Sequence, residues 1–393
     1  MVLQFFRTRR GTSGPPEAKA SAAAPVVAFH GSGRVAWSAR DAGTLTRVGF
    51  LGNPVAFRCV KLIAEAAAAV PVVVQDADRR FDAHPVIDLL AAPNPGQSGA
   101  ALLECFYGHL LLSGDGYLEA AGEVASGGPR ELYVLRSDRM KVVPGSDGWP
   151  VAYEYAAGGA KHVFEMRAER VPVLHVKAFH PQDDHYGLSP LAAAAIAIDV
   201  HNSASTWSKA LLDNAARPSG AIVYRGVDGQ GQLAADQYAR LVEEIESHHQ
   251  GARNAGRPML LEGGLDWKPM GFSPSDMEFH RTKEAAARDV ALAFGVPPML
   301  LGLPGDNTYA NYSEAHRAFY RLTVLPLVAK TLAAVSGWLP AWYGERFQVK
   351  VDEDNVPALA EERAALWRRV GGAGFLSDGE KRALLGLPKL REE

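Results

Sequence analysis

The residues best placed to do chemistry stand in one short turn, 180-HPQDDHYG-187, where two imidazoles and two carboxylates fall within six positions. If the loop folds back, His180, Asp183, Asp184 and His185 offer the mixed nitrogen and oxygen donors of a divalent metal site, and a metal there would activate water for hydrolysis. Such a metal-dependent hydrolase would bind metal and lose turnover in an Asp184→Ala variant. No second set of ligands stands at a recognisable spacing, however, and an Asp-Asp-His run ahead of a helix is more often a solvated or capping turn. His248 and His249 close a helical stretch, where they complement the negative end of the helix dipole sooner than they ligate a metal. Ser189 follows Gly187 and Leu188 but precedes a proline, so the second glycine of a nucleophile elbow is missing and a helix cap is its ordinary role.

Other signatures are absent. No Gly-Lys pair occurs, which removes a P-loop, and H-E-x-x-H, G-x-S-x-G and a G-x-G-x-x-G between strand and helix are missing too. Cys59 and Cys105 lack the spacing of a zinc or redox motif and read as small apolar residues in a reducing compartment. A net charge of -3 gives no basic excess, so any contact with nucleic acid should be weak or transient. The start, MVLQFFRTRR, has too short an apolar run for a signal peptide, and apolar stretches such as 191-LAAAAIAI-198 are far short of a bilayer span. A soluble chain with no membrane partner and no cofactor is expected.

The elements that must position these residues read as α+β. Residues 1–40 are rich in Gly, Ala, Ser, Pro and Arg without a period and are expected to form a mobile arm. Then 53-NPVAFRCVKLIAEAAAAVPVVV-74 puts Asn at an N-cap, Pro at the first helical position and a β-branched run after Pro71, which is a helix leading into a strand. A second helix follows Ser98 and ends on Gly114. Segments 116–123, 131–144, 149–157 and 171–179 alternate as strands of an antiparallel meander.

Ser189-Pro190 opens a helix of some 27 residues, about 40 Å if unbroken, whose middle carries only Val200 and Trp207 as large apolar side chains. Its small residues allow close approach to neighbouring helices, copies of itself included. A small α/β insert follows, with a strand at 220–225, a helix at 233–249 and two strands in 258–272 around Gly263-Gly264. A helix returns over 275–295 and stops at Gly295 before Pro297-Pro298. The turn-rich 301-LGLPGDNTYA-310 then runs into a long helix from Tyr309 to Trp338. Pro326 removes the amide that would bond the Leu322 carbonyl, so a kink is expected there. Strand 345–352 and helices near 358–370 and 377–386 finish the chain, the last with Ser377 and Glu380 as a capping box.

Taken in order, 53-NPVAFRCVKLIAEAAAAVP-71, 84-HPVIDLLAAPNP-95, 113-SGDGYLEA-120, 132-LYVLRSDRMKV-142, 187-GLSPLAAA-194, 294-FGVPPMLLG-302 and 311-NYSEAHRAFYRLTVLPL-327 resemble the HK97-type portal proteins of tailed bacteriophages. The resemblance spans residues 50 to 390. It implies a non-enzymatic ring of twelve copies at one capsid vertex of a virion or phage-like particle, assembled in the bacterial cytoplasm. Double-stranded DNA would pass along its axis during packaging and ejection. The implied partners are the terminase large subunit, a head-tail connector and the major capsid protein.

The same resemblance implies an arm (1–40), a wing (41–186), a stem helix (187–218), a clip (219–272), a second stem helix (273–296) and a tunnel loop (297–308). A kinked tunnel helix with a wing strand (309–352) and a short crown (353–393) complete it. Leu303, Pro304, Gly305, Asp306, Asn307 and Thr308 would face the DNA, with Pro326 as the kink behind them. The short length and the Ala, Gly and Arg richness also suit the portal of a gene transfer agent. A ring-forming head-to-tail adaptor or scaffold that never meets DNA is the alternative of the same shape.

Overall fold

A computed structural model describes residues 37–387 except 78, 126, 167–168, 214–219, 225–234, 249–264, 270–278 and 305–308. The first helices are α1 (Ala42–Leu45), a π turn (Thr46–Leu51) and α2 (Pro54–Ala68). They lead to β1 (Val72–Gln75), β2 (Arg80–Phe81), α3 (Pro85–Ala91) and α4 (Gly99–Ser113). Six strands follow: β3 (Asp115–Glu123), β4 (Pro129–Leu135), β5 (Met140–Pro144), β6 (Pro150–Ala157), β7 (Ala160–Glu165) and β8 (Val173–Lys177). Then come α5 (Pro190–Asp213), β9 (Gly220–Tyr224), α6 (Ala235–His248), β10 (Leu265–Pro269) and α7 (Phe279–Ala293). The long helix is built from α8 (Tyr309–Phe319), a π turn (Tyr320–Val324), α9 (Leu325–Trp338) and α10 (Pro340–Tyr343). The last elements are β11 (Gln348–Val351), α11 (Ala360–Gly371) and α12 (Asp378–Leu384).

Local capping chemistry sets most of the helix ends. Asn53 Oδ1 accepts from the amides of Val55 and Ala56 at 3.0 and 3.1 Å, and Pro54 fills the first helical position where no donor is needed. Ser98 caps α4 through the Ala101 amide, and Gly114 ends it at φ 85°, a left-handed conformation that costs glycine nothing. Ser377 and Glu380 form the reciprocal capping box of α12. At α3 the cap is a histidine: His84 Nδ1 accepts from the Val86 amide at 3.2 Å while Nε2 meets Glu345 at 2.8 Å.

The sheets differ from a simple meander. β5-β6-β7 is one, but β3 sits between β4 and β8, and β1 pairs antiparallel with β11 from the far end of the chain. The segment 131–144 is two strands, because a 3-10 turn at Ser137–Arg139 interrupts it and Ser137 Oγ donates to the Asp115 carbonyl at 2.6 Å. β7 joins as an extra strand at the edge of its sheet. β9 pairs with β10, and the other strand expected near 258–264 lies outside the described residues.

The main core lies where α2, α4, α5 and α7 meet the long helix and β11. Ile63, Phe106, Leu191, Val290, Val324 and Leu339 are all buried there; shortening a core Leu or Ile to Ala costs about 2–5 kcal/mol. Between Asn311 and Tyr343 the chain is helical over a length and with an apolar content that would suffice to cross a bilayer. Its apolar side is core instead: Phe319, Val328, Leu332, Val335 and Trp338 pack inward, and the Trp338 indole donates to the Val171 carbonyl at 2.7 Å. Residues 37–40, expected within the arm, are tied down, since Ser38 donates from both its amide and its hydroxyl to Asp199 of α5.

Candidate functional site

The segment 180–187 is built as a turn. Asp183 Oδ1 accepts from the amides of His185 and Tyr186 at 2.8 and 3.0 Å, and these bonds hold its carboxyl below the ordinary carboxylate range. His180 Nδ1 accepts from the Gln182 amide. Lys177 Nζ donates to the Asp184 carbonyl. Among the described residues no three His, Cys, Asp or Glu side chains converge as metal ligands. Ser189 caps α5: its hydroxyl accepts from the Leu191 amide at 3.0 Å and donates to the Leu111 carbonyl at 2.9 Å. His249 lies outside the described residues.

Two buried polar joints hold α5, one just before its start and one at its middle. In the first, Asp115 Oδ1 meets His175 Nε2 at 2.8 Å and accepts from the Gly187 amide at 2.9 Å, while the Tyr153 hydroxyl stands 3.1 Å from His175 Nδ1. Tyr117 stacks on the His175 ring with centroids 4.2 Å apart. Gly114 and Gly187 cross so closely here that a Cβ on Gly187 would lie 2.0 Å from the Gly114 carbonyl oxygen. In the second joint, Asn53 Nδ2 faces His201 Nδ1 at 3.1 Å and donates to Asn202 Oδ1 at 2.9 Å, and Asn202 Nδ2 donates to the Val48 carbonyl. Asn53 is 1% exposed and His201 4%, so their polar atoms must bond each other. Further out, Trp207 stacks on Phe279 of α7 with ring centroids 3.8 Å apart, which gives the isolated large side chain of α5 its partner.

α7 leads into the loop. Gly295 turns the chain at φ 65°, a 3-10 turn covers Pro298–Leu301, and Gly302 turns it again at φ 71°. Of the six residues expected to face a channel, Leu303 is half-buried and Pro304 exposed, with Arg288 of α7 donating to the Pro304 carbonyl. Gly305, Asp306, Asn307 and Thr308 lie outside the described residues.

Behind the loop, Pro326 occupies the start of α9, directly after the π turn. In a regular α-helix its ring would press on the Leu322 carbonyl. The wider turn relieves that pressure, and the Leu325 amide bonds Tyr320 five residues back. Three residues that the sequence reading passed over attach this helix to its surroundings. Thr323 Oγ1 donates to the Gly295 carbonyl at 2.6 Å, Arg321 pairs with Glu362, and Arg317 stands 3.3 Å from Glu361. Their available signal was the spacing: two arginines four apart on one helix, and two adjacent glutamates opening another.

This arrangement offers no assembled nucleophile or metal centre among the described residues; it offers a long helical rod, a loop at its head and polar joints along α5. A family model described as phage portal protein matches residues 54–386. The chain belongs to the phage portal protein family. The portal protein of Enterobacteria phage HK97 is 25% identical over 85% of this chain and 78% of its own. An uncharacterized protein of Rickettsia bellii is 39% identical over 86% of this portal protein and 88% of its own length.

Among solved structures, a chain from the neck of a native GTA (gene transfer agent) particle computed with C12 symmetry is 65% identical, with a TM-score of 0.69 over 91% of this chain and 97% of that one. The crystal structure of an HK97 family phage portal protein from Corynebacterium diphtheriae, 14% identical with a TM-score of 0.56, covers 82% of this chain and all of that one. That likeness shows the α+β portal fold.

Proposed function

We propose that this portal protein assembles as a ring of twelve at one vertex of a gene transfer agent particle, and that DNA passes along the ring axis during packaging and ejection. The observation that carries the reading is the 65% identity, over almost the whole of both chains, to a protein seen in a particle neck computed with C12 symmetry. In this ring, α5 and α7 act as the stem, β9, α6 and β10 as the clip, α11 and α12 as a short crown, and the α+β first half as the wing. The clip docks the terminase motor and later the head-tail connector, and the wing meets the capsid protein.

Residues 297–308 form the tunnel loop around the axis, carried on the long helix. A closed ring of identical subunits needs two different mating faces on each, so the assembly has to be heterologous and cyclic. Native mass spectrometry with particle imaging tests the proposal. Twelve chains of 42.1 kDa give a hollow ring of about 505 kDa; a chain that stays monomeric even beside its capsid protein would sink it. Substitutions within 303–308 then separate a DNA channel, which loses packaging while still assembling, from a scaffold, which tolerates them.

A further inference from the structure

A π turn packs its backbone less favourably than an α-helix and persists where something holds it. Pro326 accounts for one side of the turn at Tyr320–Val324 by keeping the regular ladder from closing on Leu322. Two other contacts grip the same turn from different elements. Thr323 Oγ1 donates to the Gly295 carbonyl just past the end of α7, and the fit is close: a Cβ on Gly295 would lie 2.9 Å from that oxygen. Arg321 pairs with Glu362 in the first turn of α11, and one helical turn earlier Arg317 meets Glu361 and, at 2.7 Å, Glu314. The two glutamates stand at the end of α11 where its dipole already favours negative charge.

We infer that Thr323 and Arg321 are positioning residues that lock the register of the long helix by tying its π turn to the end of α7 and to the start of α11. One residue of helix is about 100° of rotation. Annealing the π turn into an α-helix therefore swings one half of the rod against the other and takes Thr323 and Arg321 off their partners together. The rod has one register in which both contacts close. The consequence for the loop at its head rests on the channel proposed above; the contacts and their test do not.

Hydrogen exchange read by mass spectrometry on the full chain tests the lock, with the amides of residues 320–325 as the readout. Thr323→Val keeps the side-chain shape and removes the donor, and exchange there should rise about fivefold, the effect of one ordinary hydrogen bond. Thr323→Ser keeps the hydroxyl and should stay near the parent. On the surface, where folding is not at risk, Arg321→Gln should speed the same amides, and Arg321→Glu combined with Glu362→Arg should restore them. Acceleration in the Ser variant as large as in the Val variant would mean that the hydroxyl is not what grips the turn and would overturn the inference. So would unchanged exchange in Thr323→Val, or failure of the swapped pair to restore. Ring mass, measured on the same samples, reports separately on the channel reading.

Discussion

Replacing Asn53 by alanine tests whether the middle of α5 is held by the buried joint or by apolar packing around it. The side chain serves two elements at once: Oδ1 caps α2 through two amides, and Nδ2 supplies the proton that His201 Nδ1 and Asn202 Oδ1 accept. Loss of the cap costs about 1 kcal/mol. The stranded imidazole nitrogen, in a residue only 4% exposed, adds about 1–2 kcal/mol, whereas partly exposed Asn202 regains water. Asn53→Ala should therefore lose about 2–3 kcal/mol in urea unfolding followed by tryptophan fluorescence. Asn53→Asp keeps the cap but sets a buried carboxylate oxygen against His201 Nδ1 and Asn202 Oδ1, so at pH 8 it should lose at least as much as the alanine variant. Its deficit should narrow as acid protonates His201 and gives the carboxylate a partner. An alanine variant that loses under about 1 kcal/mol would refute the idea that one amide serves both helices.

Burial, with Lys283 adding repulsion, holds His201 below its ordinary histidine value, and burial does the same to His109. The unfolded chain thus takes up protons first, so stability should fall as pH drops below about 6.5 and level off below the folded values. A His201→Gln variant should show a shallower fall over pH 6.5 to 5 in the same unfolding assay. Gly187→Ala would set a Cβ 2.0 Å from the Gly114 carbonyl oxygen, and a loss of soluble chain is expected. Gly108→Ala, on α4 with open space around it, should be neutral or gain up to about 1 kcal/mol in thermal melts. Pro326→Ala supplies the missing amide and frees the Leu322 carbonyl, so hydrogen exchange over residues 322–328 should slow; no change would mean the π turn owes nothing to proline. Duplex DNA titrated into assembled rings should bind weakly, with a shallow fall of log K with log salt, in contrast to the steep slope of a protein that neutralises many phosphates.

What could be read from the sequence was local. Asn53-Pro54, Ser98, Gly114 and the Ser377–Glu380 box announce themselves because each cap is satisfied within three or four residues of its own chain. The pairing of β1 with β11 could not be seen, since it joins residues almost 280 positions apart through a core that no window contains. β7 was missed because 160-AKHVFE-165 lies at an edge, mostly exposed, without the alternation that marks a half-buried strand. The 3-10 break at Ser137 depends on a hydrogen bond to the Asp115 carbonyl, twenty-two positions away. At the candidate site, the Pro326 motif was visible while its outcome was not. A proline signals a disturbed ladder, but the π turn beside it takes contacts from Gly295 and Glu362, 28 and 41 positions away, that no window contains.

The charges of the long helix bear on how the proposed channel can let DNA slide. Arg317 meets Glu314 and Glu361, Arg321 meets Glu362, and Arg288 of α7 meets Glu284 while donating to the Pro304 carbonyl. These three arginines are thus engaged in holding the chain's own elements together. Each exposed pair adds little stability alone, yet a guanidinium already facing a carboxylate has less to give to a passing phosphate. A helix can in this way carry arginines for register without presenting a row of them to DNA. In the channel proposed above, arginines already paired in this way would add little grip on a polyanion, in keeping with a net charge of -3.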